Sequence, residues 1–249
     1  RSIKFSYRAS GLDDLIVLGL RVGKGFAIKA SRPGSYIFLR EGNSESYYTT
    51  PLCVMKADIE AGVIAVAVKI ISAKTKTLAK AEGGLMVRGI YRNGILGIGS
   101  ITSKFVKGKK VLLVAKGIGL APAILASDYL WRKNRVDLII DREKISEDLM
   151  TDYLGDGEGT LRFMSLNEES HREELGEILL REQYDLVVLL TSDYYLKVIG
   201  DMVKDRLPNS ELAVSNNFHI CCGEGICGAC AVIDAGGDTI KMCKCNHGV

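Results

Sequence analysis

Six of the seven cysteines of this chain lie between residues 221 and 245. Four of them follow the Cys-x4-Cys-x2-Cys…Cys spacing of plant-type [2Fe–2S] ligand sets: Cys222, Cys227, Cys230 and Cys243. Four thiolates must enclose two irons, and the three glycines of this loop permit the backbone angles that such a curled loop needs. Their amides can also donate hydrogen bonds to the sulfurs. The spacing therefore predicts a [2Fe–2S] cluster on these four cysteines.

Two other interpretations of the cysteines compete with the cluster. A structural zinc site also uses close pairs of cysteines, and thiols in a reducing compartment can simply be buried. Zinc leaves Cys222 and the glycine-rich turn without a use. Because adjacent cysteines cannot easily both face one cluster, we assign Cys222 rather than Cys221, and Cys245 is an alternative fourth ligand.

The elements that must position these cysteines fall into three parts. Up to about residue 101, short apolar or alternating runs separated by turn residues predict the strands of an antiparallel barrel or sandwich. These runs cover residues 15–20, 26–30, 35–39, 63–71 and 85–87. Near the carboxyl end, residues 231–234 and 239–242 predict a hairpin through Gly236 and Gly237 that returns Cys243 to the loop.

The middle of the chain has a different pattern, in which apolar strands alternate with helical segments. The strands are predicted at 111–115, 136–140 and 184–190, and the helices at 123–131, 173–181 and 195–206. This alternation predicts a doubly wound parallel sheet. The segment from about residue 215 onward is too rich in loops to bury a core alone.

Composition limits the function classes. The chain has 249 residues, 47% hydrophobic and 25% charged, with 33 basic and 30 acidic side chains. The basic residues are scattered, so we expect no nucleic-acid partner. Apolar runs are far shorter than the roughly 18 residues of a membrane helix, and the first residues lack a secretory pattern. Clustered cysteines favour a metal centre over disulfides, so we expect a cytoplasmic protein. No residue is assigned a catalytic role.

Several motifs occur in an order that resembles a known family. They are Pro33-Gly34-Ser35-Tyr36-Ile37, Gly89-Ile90-Tyr91-Arg92-Asn93-Gly94, Gly117-Ile118-Gly119-Leu120-Ala121-Pro122, the strand at 184–188 and the cysteine loop. Together they resemble the iron–sulfur electron-transfer subunit of the NAD-linked dihydroorotate dehydrogenases, within the ferredoxin reductase superfamily. The resemblance covers nearly the whole chain.

The resemblance implies three domains and one direction of electron flow. Residues 1–103 would form a flavin-binding β barrel, 104–214 an α/β pyridine-nucleotide domain and 215–249 a [2Fe–2S] domain. Electrons would pass from NAD(P)H through FAD and the cluster to a catalytic flavoprotein subunit, dihydroorotate-dehydrogenase-like or another oxidoreductase, in a hetero-oligomer. Pyrimidine biosynthesis is the process that this resemblance implies.

The resemblance also implies a set of cofactor-binding residues. The flavin signature Arg-Pro-x-Ser corresponds to residues 50–53, with threonine and cysteine as replacements, and Gly-x-Gly-Thr corresponds to residues 72–75. Lys74 and the amides near Thr75 can meet phosphate charge. The implied set is Thr50, Pro51, Leu52, Cys53, Lys74, Thr75, Gly89, Asn93, Gly94, Gly117, Gly119 and Pro122.

One departure from the family concerns the nicotinamide. Gly117 and Gly119 stand where a strand turns into a helix, which suits a diphosphate, although tight packing explains them as well. The family's Cys-Gly-Pro is replaced by Thr191-Ser192-Asp193. An alternative function is therefore a non-catalytic cluster-bearing subunit that has lost flavin or nucleotide turnover. For partner contact, apolar candidates are Ile220, Ile226 and Met242.

Overall fold

Two six-stranded sheets and a two-stranded hairpin form the described part of the protein in a computed structural model. The structure describes residues 3–8, 14–42, 49–81, 84–103, 106–142 and 152–245. Every helix and strand below lies within these ranges. No helix among them is both long and apolar enough to cross a membrane.

The first sheet is antiparallel throughout, as the short alternating runs predict. Its strands are β1 (Ile3–Arg8), β2 (Leu15–Arg21), β3 (Tyr36–Glu41), β4 (Thr50–Asp58), β5 (Val63–Lys69) and β6 (Leu85–Tyr91), in the order β1-β2-β5-β4-β3-β6. Helices α1 (Lys24–Ala30) and α2 (Ala73–Lys80) accompany it. No backbone ladder joins β1 to β6 in the described residues, so the sheet is open by its hydrogen bonds.

The strand predicted at residues 26–30 is wrong, because this segment is helix α1. Ala27 and Ala30, three residues apart, are buried, whereas Ile28 is 49% exposed. A strand would place residues 26, 28 and 30 on one face. Short apolar runs of this kind do not separate helix from strand by their period alone.

The second sheet is parallel except at one edge. Its strands are β7 (Ile95–Leu96), β8 (Lys110–Ala115), β9 (Arg135–Asp141), β10 (Leu161–Met164), β11 (Leu186–Leu190) and β12 (Glu211–Ser215), in the order β10-β9-β8-β11-β12-β7. Only β7 is antiparallel to its neighbour among these described strands. The predicted parallel sheet is confirmed. The domain boundary at residues 103 and 104 stays a prediction, and β7 lies on its amino-terminal side.

Helices cover both faces of the parallel sheet, which explains its uninterrupted apolar strands. They are α3 (Gly99–Thr102), α4 (Leu120–Leu130), α5 (Glu169–Glu182) and α6 (Asp193–Arg206). Val111 and Leu113 of β8 join the core that contains α4, while Leu112 and Val114 join the core that contains α5 and α6. The sheet is thus covered on one face by α4 and on the other by α5 and α6.

Helix α4 also joins the two sheets. Met55 and Ala67 of the antiparallel sheet are buried in the same core as Ala121 and Ile124 of α4. Lys56 Nζ lies 2.7 Å from Asp128 Oδ2 and donates to the Tyr153 carbonyl at 3.0 Å. Strand β4 is therefore fixed against α4, and its first residues face the carboxyl-terminal edge of the parallel sheet.

The predicted carboxyl-terminal hairpin is confirmed. Strands β13 (Ala231–Ile233) and β14 (Thr239–Lys241) pair antiparallel. Asp234 Oδ1 closes the turn by accepting from the amides of Gly236 at 2.9 Å and Asp238 at 2.8 Å. The hairpin brings the residues after β14 back to the cysteine loop.

Candidate functional site

The cysteine loop curls around its own first thiol. Gly223, Gly225 and Gly228 have φ of +70°, +74° and +74°, a region that side chains other than glycine rarely adopt. The amide of Glu224 donates to Cys222 Sγ at 3.3 Å. Together with the backbone N–H of Cys227, the largest cause, this lowers the pKa of the Cys222 thiol to about 6. The loop therefore favours a thiolate at Cys222.

The four predicted sulfurs form two pairs. Cys222 makes a side-chain contact with Cys227, and Cys230 makes one with Cys243, which also lies close enough to Cys222 for their charges to interact. The Cys243 amide donates to Cys230 Sγ at 3.3 Å, and both of these cysteines are buried. Burial, followed by the contact with Cys230, raises the pKa of Cys243 to about 11. We call these four residues the cysteine centre.

No three histidine, cysteine or acidic side chains converge on a single metal position in the part of the chain that the structure describes. Within the cysteine centre, the side-chain contacts are Cys222 with Cys227 and Cys230 with Cys243. Of the remaining cysteines nearby, Cys221 is exposed, while Cys245 is buried in the same cluster as Cys230 and Cys243.

An aromatic and charged surface of the antiparallel sheet holds the cysteine loop. Arg88 Nη1 donates to the Cys222 carbonyl at 2.8 Å, and Tyr91 donates from its hydroxyl to Glu224. A Cβ on Gly223 would lie 2.8 Å from Phe38 and 2.9 Å from Tyr91. The glycine is therefore needed for close approach as well as for its backbone angle.

Asn93 connects the cysteine centre to the antiparallel sheet. It is 5% exposed and accepts from the Tyr36 hydroxyl at 3.2 Å. Its Nδ2 donates to the Met242 carbonyl at 2.6 Å. Burial, and then the nearby thiol of Cys243, raises the pKa of Tyr36, whose hydroxyl stays protonated. The Asn93 side chain therefore links Tyr36 of the antiparallel sheet to the segment after the hairpin by two hydrogen bonds.

A groove of about 530 Å³ lies between the start of β4 and the carboxyl-terminal edge of the parallel sheet. Seven of the predicted cofactor-binding residues line it: Pro51, Leu52, Cys53, Gly94, Gly117, Gly119 and Pro122. The departures from the family pattern, Thr191, Ser192 and Asp193, line it as well. Burial raises the pKa of Cys53 to about 11, so this thiol is neutral at physiological pH.

Two glycines shape the floor of the groove for different reasons. A Cβ on Gly119 would lie 1.9 Å from the Leu190 carbonyl oxygen, so β11 leaves no room for a side chain. Gly117 has φ of +61°, and a Cβ there would meet nothing within 4 Å apart from its chain neighbours. Gly119 is explained by tight strand-to-helix packing, whereas Gly117 leaves open space above the turn.

Charged groups at the groove have partners within the protein. Lys116 forms an ion pair with the fully buried carboxylate of Asp141 at the end of β9. Asp193 accepts from Asn217 Nδ2 at 2.9 Å. The groove therefore carries one neutralised pair and one hydrogen-bonded carboxylate.

The other predicted cofactor residues lie outside the groove lining. Thr75 and Ser72 cap helix α2 reciprocally: the Ser72 amide donates to Thr75 Oγ1 at 3.0 Å, and the Thr75 amide donates to Ser72 Oγ at 3.3 Å. Lys74 belongs to the same helical turn. Thr50 Oγ1 is buried without a hydrogen-bond partner among the described residues. Gly89, with φ of +127°, packs against Tyr91.

The chain was compared with protein families and with known proteins. No family model matches the chain. A Methanocaldococcus jannaschii protein named "Probable dihydroorotate dehydrogenase B (NAD(+)), electron transfer subunit" is 30% identical over 155 residues, 57% of this chain and 54% of that protein. An Archaeoglobus fulgidus protein of the same name is 26% identical over 175 residues, 67% of this chain and 69% of that protein.

The resemblance drawn from the motifs is confirmed. The match spans about half the length of the M. jannaschii relative. Among solved structures, that of an NADH-dependent reduced ferredoxin-NADP oxidoreductase superposes with a TM-score of 0.73 at 19% identity, over 97% of this chain and 84% of that one. This likeness shows that the fold is shared from the antiparallel sheet to the cysteine hairpin.

Sequence reasoning missed several residues that shape the site. Arg88, Tyr91 and Glu224 hold the cysteine loop without any motif that assigns them this role, and Asn216 is a further donor to the Met242 carbonyl at 3.1 Å. Two of the apolar partner-contact candidates pack inward: Met242 is 8% exposed and Ile220 packs beneath the hairpin. Ile226 is 81% exposed.

Proposed function

We propose that this chain is an electron-transfer subunit that carries electrons from NADH or NADPH through FAD and a [2Fe–2S] cluster to a catalytic flavoprotein. The observation that carries the proposal is the set of contacts among four cysteines, three of them in a glycine-rich loop that docks on the antiparallel sheet. The relatives' names supply the type of subunit and partner.

The cysteine centre fits a two-iron cluster in its donor set. Four thiolates are the ligands that such a cluster takes, and a structural zinc would gather its four ligands at one point. The pairs Cys222/Cys227 and Cys230/Cys243 would each hold one iron. Backbone amides of Glu224 and Cys243 already donate to two of the sulfurs and would do the same for bound thiolates.

The groove fits a flat ring system at its β4 wall. Pro51, Leu52 and Cys53 form that wall, and Gly94 also lines the groove. The unpartnered hydroxyl of Thr50 adds a polar atom at the strand end. A bound flavin exchanges electrons in pairs on one side and singly on the other. Pro51, Leu52 and Cys53 would hold such a ring at the start of β4 and shield it from water.

Nucleotide binding has support at the turn before α4. Gly117 leaves space above the turn that leads into α4, and the amino-terminal end of a helix favours an anion. Lys116, neutralised by Asp141, stands at the start of this turn. We propose that a dinucleotide diphosphate lies here, with its nicotinamide toward Cys53 and Asp193. The clustered free thiols suit a cytoplasmic location.

A second candidate function is a cluster-bearing subunit without nucleotide turnover. The specific observations are Asp193, which places a carboxylate on the nicotinamide side of the groove, and Thr75, whose hydroxyl is engaged in capping α2. Such a subunit would receive electrons from another protein and pass them onward.

Anaerobic purification followed by visible spectroscopy and iron and sulfide analysis tests both candidates. Flavin bands with cluster absorption, bleached by NADH or NADPH, support the first. Cluster absorption that neither nucleotide bleaches, without flavin bands, supports the second. Protein that contains zinc and lacks iron and sulfide would contradict both.

A further inference from the structure

A continuous line of hydrogen bonds runs from the groove to a thiol of the cysteine centre. Tyr36 lies beside Gly94 at the groove and donates from its hydroxyl to Asn93 Oδ1. Asn93 Nδ2 donates to the Met242 carbonyl. That carbonyl shares one peptide group with the Cys243 amide, which donates to Cys230 Sγ.

The Met242 carbonyl accepts hydrogen bonds from two side-chain amides. Asn93 Nδ2 lies 2.6 Å from it and Asn216 Nδ2 lies 3.1 Å from it. Asn216 also donates to the Asn93 carbonyl at 2.8 Å, which holds the two asparagines together. Both donors therefore act on one oxygen.

Burial strengthens this arrangement. Tyr36, Asn93, Met242, Cys243 and Cys230 are all at most 8% exposed. Hydrogen bonds in such surroundings are electrostatically stronger than in water, and bonds in a chain polarise one another. Donation to a carbonyl makes the N–H of the same peptide a stronger donor. The two asparagines thus reinforce the bond from the Cys243 amide to Cys230 Sγ.

We propose that Asn93 and Asn216 are positioning residues that set the reduction potential of the cluster through the Met242–Cys243 peptide. This inference rests on the proposed function, because it requires the cysteine centre to hold a cluster. Hydrogen bonds to cluster sulfurs tune its potential. Reduction adds negative charge, so a stronger N–H donor favours the reduced form and raises the potential.

Redox titration of the full-length protein, followed by electron paramagnetic resonance, tests this role. We expect Asn93→Ala and Asn216→Ala to lower the midpoint potential, with a loss of up to about tenfold in the equilibrium constant for reduction, equal to 59 mV for one electron. Tyr36→Phe keeps the ring and removes only the first donor, so its shift is smaller and has the same sign.

Asn217→Ala is the matched control. Asn217 is the neighbouring asparagine, but it donates to the Thr191 carbonyl and to Asp193 rather than to Met242. We expect the midpoint potential of this variant to equal that of the unmodified protein. Iron, sulfide and melting temperature are measured for every variant, because a purely structural effect would change these and leave the potential of the remaining cluster unmoved.

The outcomes separate this inference from the proposed function. If the unmodified protein lacks iron and sulfide, the proposed function fails and the tuning role fails with it. If variants retain the cluster at an unchanged potential, the tuning role alone is refuted. Should Asn93→Ala lose its iron, the potentials of Asn216→Ala and Tyr36→Phe decide the question.

Discussion

Tyr36 lies close to Cys53 of the groove and to Cys243 of the cysteine centre, yet the two sites are built in different ways. The four sulfurs come from residues 222–243 and are oriented by backbone amides and left-handed glycines. The groove takes its walls from β4, the turn before α4 and the segment after β11. The first site is therefore specified locally, whereas the second exists only when the two sheets pack together.

The largest expected effect is loss of the metal from the cysteine centre, the locally specified site. Replacing Cys222, Cys227, Cys230 or Cys243 by serine should remove iron and sulfide, because each cysteine supplies one of four thiolates. Cys221→Ser should leave both in place, since that residue is exposed and outside both sulfur pairs. Metal analysis per chain checks this, with Cys53→Ser as a second control. Retention of the cluster in Cys222→Ser together with its loss in Cys221→Ser would reverse our assignment.

The next largest effect comes from the ion pair between Lys116 and the buried carboxylate of Asp141 beside the groove. Lys116→Met removes the ion pair that Lys116 makes with the buried Asp141 carboxylate, and breaking a buried ion pair costs about 3–5 kcal/mol in the free energy of unfolding. Urea unfolding followed by circular dichroism measures the loss. The double variant Lys116→Met/Asp141→Leu removes both charges and should recover most of the stability. A single variant as stable as the unmodified protein would show that the ion pair is not needed.

Two glycines of the cysteine loop, Gly223 and Gly228, allow the stability lost through steric overlap to be separated from the stability lost through an unfavourable backbone angle. Gly223→Ala meets Phe38 and Tyr91 and also adopts φ of +70°, for a cost of about 2–4 kcal/mol. Gly228→Ala has a similar φ but nothing within 4 Å, so we expect about 1–2 kcal/mol. Thermal unfolding of the two iron-loaded variants compares them. Equal losses would mean that contact with the aromatic rings contributes little.

The same contrast exists in the groove. Gly119→Ala forces the Leu190 carbonyl to move and should cost about 1–3 kcal/mol for overpacking alone, while Gly117→Ala costs about 1–2 kcal/mol for its backbone angle. Because Gly117→Ala narrows the space above the turn, it should weaken nucleotide binding more than stability. Isothermal titration with NADH distinguishes the two effects, and an unchanged affinity in Gly117→Ala would place the diphosphate elsewhere.

The smallest effect is one of reactivity. Because burial raises the pKa of Cys53 to about 11, this thiol is protonated at neutral pH and should react slowly with iodoacetamide. Its labelling should accelerate as the pH rises toward that value, while exposed Cys221 sets the reference rate. Mass spectrometry of peptides counts the labelled sites, and rapid labelling of Cys53 at neutral pH would contradict its raised pKa.

Local patterns made part of this fold predictable. The strands expected at 111–115, 136–140 and 184–190 correspond to β8, β9 and β11, because buried parallel strands are apolar on both faces. The hairpin that returns Cys243 follows from its Gly-Gly turn. Each of these features is contained in a short stretch of chain, so the sequence specifies it without knowledge of distant contacts.

The missed features depend on contacts between distant segments. Asn93 meets Met242 across 149 positions, and Arg88 meets the Cys222 carbonyl across 134. No spacing rule connects such pairs. Met242 is expected from the sequence at a partner surface, but the hairpin folds over it and leaves Ile226 exposed instead. The reciprocal cap of α2 had a local signal, since Ser72 precedes Thr75 by three residues.

Three consecutive residues, Asn93, Gly94 and Ile95, reach three different parts of the molecule. Asn93 bonds the cysteine hairpin, the Gly94 amide donates to the Gly34 carbonyl beside the antiparallel sheet, and Ile95 pairs with Ser215 in the parallel sheet. The length of chain from Asn93 to Ile95 therefore fixes how far apart the cysteine hairpin, the antiparallel sheet and the parallel sheet can lie. Evolution can lengthen surface loops freely, but a single residue inserted at this junction would move every partner out of reach together.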